Sequence, residues 1–293
     1  MKKKVIFKGC ATALVTPFSD GEIDYEALGR LIEFQILSGI PALVIGGTTG
    51  EAATLSDGER YRLFRYAKEK INGRAKLIFG TGTNDTKKAI KHTELAERIG
   101  CDGALVVTPY YNKGTKDGIT EHYKEIAKCT DLPIILYNVP SRTGVDLSLS
   151  QLEILAKCDN VVAIKEASDS LDKLVAISSF GEDLALYAGC DSHIHSVLSL
   201  GGLGVVSVVS NAYPKLIKNL TESFFKGETE LSLEIQKKLS GFISAAFCET
   251  NPAPIKYALS EMGFCKNELR LPLLRVRKES EALIKAEMKE SFS

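Results

Sequence analysis

The chain has 293 residues, 44% of them apolar and 25% charged, enough for a sizeable buried core in one large α/β domain or two small ones. Its 37 Lys and Arg balance 37 Asp and Glu, so no global field draws it to nucleic acid or an anionic membrane, although a local phosphate site stays open. Seven widely spaced cysteines, none in a C-x-x-C pair, argue against a disulfide framework or zinc knuckle and fit a reducing cytosol.

Met1 to Lys4 is basic, but Val5-Ile6-Phe7 is cut short by Lys8, so no export leader is expected. No later run approaches the length of a bilayer span. Short β-rich apolar runs then recur: Ala11–Val15, Ala42–Ile45, Lys76–Phe79, Gly103–Val107, Pro133–Tyr137, Val161–Ile164, Ala185–Tyr187 and Val205–Val208. Each leads into Gly, Thr, Tyr, Asn or Lys and then an amphipathic stretch, the pattern of a βα repeat. Asp24–Leu37, Asp57–Ile71 and Thr86–Ile99 carry the 3.6-residue period, which puts Leu28, Leu31 and Ile32 on one buried face and Leu95, Ala96 and Ile99 on another. Asp57 reads as an N-cap, and with Arg60 three residues on its capping box is absent.

Eight such strands in about 210 residues predict an α/β fold of the (β/α)8, or TIM-barrel, class. A doubly wound sheet is the rival, but it rarely needs eight strands, and the G-x-G-x-x-G fingerprint is missing. After Asn211 the strand signals stop, and Pro214–Phe225, Glu228–Phe247, Ile255–Met262 and Leu273–Met288 read as helices. The expected organisation is a barrel catalytic domain over 1–210 and a C-terminal helical extension over 211–293. Asn251-Pro252-Ala253-Pro254 marks only a break between helices.

In such a barrel, chemistry collects at the C-terminal ends of the strands. The second run ends in Gly46-Gly47-Thr48-Thr49-Gly50-Glu51, whose hydroxyls and exposed amides suit a carboxylate or phosphate, or equally make a Gly-rich turn. The fourth ends in Thr108-Pro109-Tyr110-Tyr111-Asn112 and the fifth in Tyr137-Asn138-Val139-Pro140-Ser141-Arg142-Thr143-Gly144. A phenol serves as acid or base only when its surroundings lower its pKa or couple it to another hydroxyl; otherwise it is a packing residue. Arg142 lies in a loop, where its planar fork suits a substrate carboxylate or a structural ion pair. Val161-Val162-Ala163-Ile164 reads as a buried strand that ends at Lys165. Lost hydration there favours a neutral amine able to attack a ketone, against the opposing pull of Glu166. A lysine that snorkels outward or pairs with Glu166 is the structural alternative.

His193 and His195 stand two apart, with His92 and His122 elsewhere and no H-E-x-x-H, so no metal site is expected. Gly201-Gly202-Leu203-Gly204 leads into a strand and reads as a tight connection that helps shape the pocket.

Taken together, Gly47-Thr48-Thr49-Gly50-Glu51, Val107-Thr108-Pro109-Tyr110-Tyr111-Asn112, Leu136-Tyr137-Asn138-Val139-Pro140 and Ile164-Lys165-Glu166-Ala167 resemble the dihydrodipicolinate synthase and N-acetylneuraminate lyase family. Their order and spacing carry the resemblance from Gly9 to about Leu274. It implies that Lys165 forms an imine with pyruvate, that Tyr137 relays protons, and that Thr48 links Tyr137 to Tyr111. Thr49 and nearby amides would hold the pyruvate carboxylate, with Arg142, Gly189 and Val206 also at the substrate. The covalent imine through Lys165 stands in for a cofactor, and none is expected.

Ser141-Arg142-Thr143-Gly144 resembles the synthase branch, which adds L-aspartate 4-semialdehyde in lysine and diaminopimelate biosynthesis. Sugar-acid lyases and 2-keto-3-deoxygluconate-type aldolases share Lys165 and Tyr137, and a catalytically silent barrel is the non-enzymatic alternative. The resemblance further implies a homotetramer built as a dimer of dimers, with Tyr111 crossing into the neighbouring active site, and no nucleic-acid or membrane partner. It also places a regulatory site at Ala52, Ala53, Asp57, Arg60, Asn84, Lys88 and Tyr110. Lys88 stands where lysine-regulated members carry an acid, and Asp57 and Arg60 replace their histidines, while Asn84 and Tyr110 keep the remaining polar groups. Weak or absent inhibition by L-lysine is therefore expected, unless a neighbour such as Asp85 or Glu51 supplies the missing anion.

Overall fold

The computed structural model describes residues 3–292, with side chains as far as Lys289; Met1, Lys2 and Ser293 lie outside the described residues. Its strands are β1 (Gly9–Ala13), β2 (Phe18–Ser19), β3 (Glu22–Ile23), β4 (Ala42–Ile45), β5 (Lys76–Gly80), β6 (Gly103–Val107), β7 (Ile134–Asn138), β8 (Val161–Glu166), β9 (Ala185–Ala188) and β10 (Gly204–Ser207). Setting aside the antiparallel hairpin β2–β3, the other eight pair in parallel, in chain order, and β10 closes on β1. The hairpin was not expected; two residues per arm are too few for an alternation signal.

The apolar runs are continuous because the strands are buried on both faces. Inside the barrel, Ala11, Val44, Ile78, Leu105, Ile135 and Val206 fill the axis. On the outer face, Leu43, Ile45, Phe79, Val106, Leu136 and Ile164 pack under the helices. Each large side chain of this kind contributes about 1.5–3 kcal/mol when fully buried. The N-terminal end of the barrel is plugged by Phe7, stacked on Tyr187 at 4.3 Å, while the Tyr187 hydroxyl donates to the Phe7 carbonyl at 2.5 Å.

Gly201–Gly204 lies at this same end, so it does not shape the pocket as expected. A Cβ on Gly204 would fall 1.8 Å from the Gly9 carbonyl oxygen, and the glycine is needed for that close approach of β10 to β1.

Helix Tyr25–Leu37 is capped by Asp24. Helix Asp57–Ile71 starts where expected, but its N-cap is Ser56 and its capping box is complete: Ser56 Oγ accepts from Glu59 N, and Glu59 accepts from Ser56 N at 2.9 Å. The expected Glu228–Phe247 helix is two, Thr229–Lys238 and Ser240–Ala246, and the final helix is Lys278–Phe292 rather than one starting at Leu273. Pro272, with no N–H to donate, stands in an irregular segment that delays it. Pro214–Phe225 packs against β1. Among the described residues no helix is long and apolar enough to cross a membrane.

Candidate active site

A cleft of about 330 Å³ opens where the barrel strands end, lined by Thr48, Tyr110, Tyr137, Arg142 and Asn251 among others. Neighbouring strands β7 and β8 run in register with Tyr137 opposite Lys165, so both side chains point to the same face, inward. Lys165 is 5% exposed, and its Nζ stands 4.1 Å from the Tyr137 ring centroid. This lysine neither snorkels outward nor shares a face with its neighbour. Glu166 turns to the opposite side, where its carboxylate accepts from Asn138 Nδ2 at 3.0 Å and Ser168 N at 2.8 Å. Burial raises the Glu166 carboxyl against the lowering pull of Lys173.

Tyr187 also lies opposite Lys165, from β9. Its hydroxyl is committed to Phe7 at the barrel floor, and burial raises its pKa, so of the two tyrosines opposite Lys165 it is Tyr137 that reaches the cleft. Val206, opposite Ala11, is fully buried in the barrel interior. Gly189 follows β9 directly; its N–H donates to the Glu166 carbonyl at 2.7 Å, and a Cβ there would meet Ala167 Cβ at 2.5 Å.

The Thr48–Thr49 loop is held at its C-terminal end by two distant parts of the chain. Thr16 Oγ1 donates to the Gly50 carbonyl at 2.7 Å, and Glu51, at φ +53°, is sealed under the C-terminal segment. Its carboxylate accepts from the fully buried Lys256 Nζ at 2.5 Å and from Arg270 N at 3.0 Å. In the sequence Asn251 marks only a break between helices. It bridges two sides of the site: its Nδ2 donates to Thr49 Oγ1 at 3.0 Å, and its carbonyl accepts from Arg142 Nη2 at 3.1 Å. No local pattern announces this contact, because the Thr49 partner is 202 residues away. Arg142 itself stands on a one-turn helix, Pro140–Thr143, rather than in a loop.

The single chain does not bring Tyr111 to its own cleft. Tyr111 is 90% exposed at φ +72°, so it does not pack within its own barrel. The positions expected to form a regulatory site divide. Ala52, Ala53, Arg60, Lys88 and Tyr110 line the cleft alongside the buried His92, which sequence reasoning left aside. Arg60 donates to the carbonyls of Gly80 and Ala52, both at 3.0 Å. Asp57 accepts from Lys91 Nζ at 3.0 Å and sits 3.2 Å from His92 Nε2, and these partners, Lys91 first, hold its carboxyl at about 2. Burial, then the Arg60 charge, lowers the His92 pKa. Asn84 offers its carbonyl to Asn112 Nδ2 at 3.0 Å.

The model of the dihydrodipicolinate synthetase family matches residues 6–291 of this chain. The chain belongs to that family. It is 46% identical to the 4-hydroxy-tetrahydrodipicolinate synthase of Thermotoga neapolitana over 291 residues, 98% of this chain and 99% of the relative. It superimposes on the solved dihydrodipicolinate synthase of Thermotoga maritima with a TM-score of 0.96 at 43% identity, covering 98% of this chain and 99% of the other. A monomeric dihydrodipicolinate synthase variant is equally similar, at 0.96 and 43%, covering 98% and 97%. As a family member, the chain carries the strand-end lysine and tyrosine on adjacent strands, in the TIM barrel that the sequence predicts.

Proposed function

We propose that this chain condenses pyruvate with L-aspartate 4-semialdehyde to give 4-hydroxy-tetrahydrodipicolinate. The observation that carries the reading is the Lys165 amine, enclosed at the end of β8 and 4.1 Å from the Tyr137 ring. The neutral amine attacks the pyruvate ketone, the carbinolamine loses water, and the protonated imine withdraws electrons so that the methyl group gives up a proton. The resulting enamine carbon adds to the aldehyde. The amine of the bound semialdehyde then displaces Lys165 from the imine carbon, closing the ring and freeing the enzyme.

Each step moves a proton, and Tyr137 is the phenol placed to carry it, with Thr48 in the same cleft. Thr49 and the loop amides hold the pyruvate carboxylate, and Gly189 and Val206 bound the site. Arg142 uses one donor on Asn251, and the rest of its five-donor fork serves the carboxylate of the second substrate. Tyr111, exposed at a loop tip, completes the relay from the neighbouring subunit of a homotetramer built as a dimer of dimers. L-lysine inhibits this member weakly or not at all.

Steady-state rates at saturating pyruvate, with L-aspartate 4-semialdehyde set against N-acetylmannosamine and glyceraldehyde, test the assignment. The semialdehyde should give the higher kcat/KM by at least about 10³-fold, the discrimination expected of a site that pairs a substrate's polar groups. A preference for either sugar aldehyde would contradict it.

A further inference from the structure

We propose that Asp169, Cys190 and His193 form a binding site for a borderline divalent transition-metal cation, Zn²⁺ by chemistry, on the loops that follow β8 and β9. Among the described residues this is the one group that brings three such ligand atoms together: one carboxylate oxygen, one sulfur and one imidazole nitrogen, all within 4.8 Å of one another.

The barrel builds it. Strands β8 and β9 run in register through Lys165–Tyr187 and Glu166–Ala188, so the loops that follow them emerge side by side, one carrying Asp169 and the other Cys190. Gly189 N donates to the Glu166 carbonyl at 2.7 Å and fastens the two loops together. His193 is set by a tight turn in which its N–H donates to the Cys190 carbonyl at 3.1 Å. That turn is anchored by Asp191, whose buried carboxylate accepts from Ser207 Oγ and from Val208 N at 2.9 Å. Asp191 is thereby committed to the scaffold. His195 is committed too, with Nδ1 3.1 Å from Ser232 Oγ.

Zn²⁺ bonds sulfur at about 2.3 Å and nitrogen or oxygen at about 2.0–2.2 Å, which sets tetrahedral ligand atoms about 3.3–3.8 Å apart. With the three atoms within 4.8 Å of one another, closure by at most about 1 Å reaches that spacing, and Asp169, the exposed member of the three, is the freest to move. A mixed N, S, O set selects Zn²⁺ or Co²⁺ over Mg²⁺ and Ca²⁺, which prefer all-oxygen shells. Coordination replaces the thiol proton: Cys190–SH and the cation give the thiolate complex and one released H⁺. Three protein ligands leave a fourth position for water, the pattern of an exchangeable site rather than a closed structural one.

Titration of the intact, chelator-washed enzyme with Co²⁺ tests the site, because a thiolate–Co²⁺ charge-transfer band in the near ultraviolet reports the sulfur bond directly. The wild type should take up one equivalent per chain with that band. Cys190→Ser should lose the band, and Cys190→Ser and His193→Ala should each bind at least about 10-fold more weakly, with circular dichroism confirming the fold. Cys248→Ser, which alters the exposed cysteine, should titrate like the wild type. Absence of the band in the wild type, or unchanged binding in both Cys190→Ser and His193→Ala, would overturn the proposal. The readout is the cation itself, so the result is independent of whether Lys165 reacts with pyruvate.

Discussion

At the scale of single residues, the site depends on two side chains that meet because β7 and β8 are in register. If Tyr137 moves protons at each step, Tyr137→Phe keeps the ring beside Lys165 and removes only the hydroxyl. We expect kcat to fall by about 10²–10³-fold with little change in KM for pyruvate, the usual share of a positioned acid–base group. An unchanged kcat would remove Tyr137 from the relay. The regulatory expectation is also argued residue by residue. An ammonium effector needs a carboxylate to receive it, and each nearby one is occupied. Glu51 is sealed with Lys256, Asp85 caps the helix after it through Lys87 N and Lys88 N, and Asp57 is held by Lys91 and His92. Lys88, on the cleft wall, adds repulsion. Rates at saturating pyruvate should therefore stay flat across a wide range of L-lysine, and strong partial inhibition at low lysine would contradict this. Lys165 was legible in the sequence because a buried apolar strand ends on it. Asn251, His92 and the Glu51–Lys256 pair were not, because each acquires its role from a partner distant in the chain.

At the scale of elements, all eight barrel strands were legible because strands buried on both faces read as unbroken apolar runs. β4 and β6 fall at the expected bounds, and the ends of the others shift by one or two residues, as for β1, observed at Gly9–Ala13 rather than Ala11–Val15. The helix after β4 shows why a cap is harder to read. Two adjacent capping residues, Ser56 and Asp57, compete for one position, and the choice depends on Glu59 reaching back and on Arg270 arriving from the C-terminal segment. Arg270 and the Ser56 backbone hold the Glu59 carboxyl at about 2 in the folded chain, against about 4.3 when unfolded. The folded pKa is depressed, so the pair's stabilisation is full above the unfolded value and is lost as pH falls through about 4 toward 2. Glu59→Gln keeps the capping box and removes the charge. It should cost about 1–2 kcal/mol in denaturant unfolding near neutral pH, allowing for solvent screening of the pair, and the gap should close in acid. A gap that persists at low pH would show that the cost is steric.

At the scale of the whole molecule, Tyr111 leaves its own barrel entirely, and the proposed relay is incomplete without a second chain. Sedimentation of the purified enzyme should give a homotetramer at assay concentration. A fully active monomer would remove both the assembly and the cross-subunit role of Tyr111. The helices after β10 are legible in the sequence as helices; their attachment is not, since it is made by Asn251, Lys256 and Arg270 reaching back to the loop after β4. That attachment holds Thr49 in place while the barrel presents Lys165, and the account rests on the reaction of that amine. The most direct measurement is intact mass after incubation with pyruvate and borohydride, followed by peptide mapping. The wild type should gain one reduced pyruvate adduct per chain, at Lys165, and folded Lys165→Ala should gain none. An adduct that persists in the variant, or its absence from the folded wild type, would contradict the assignment.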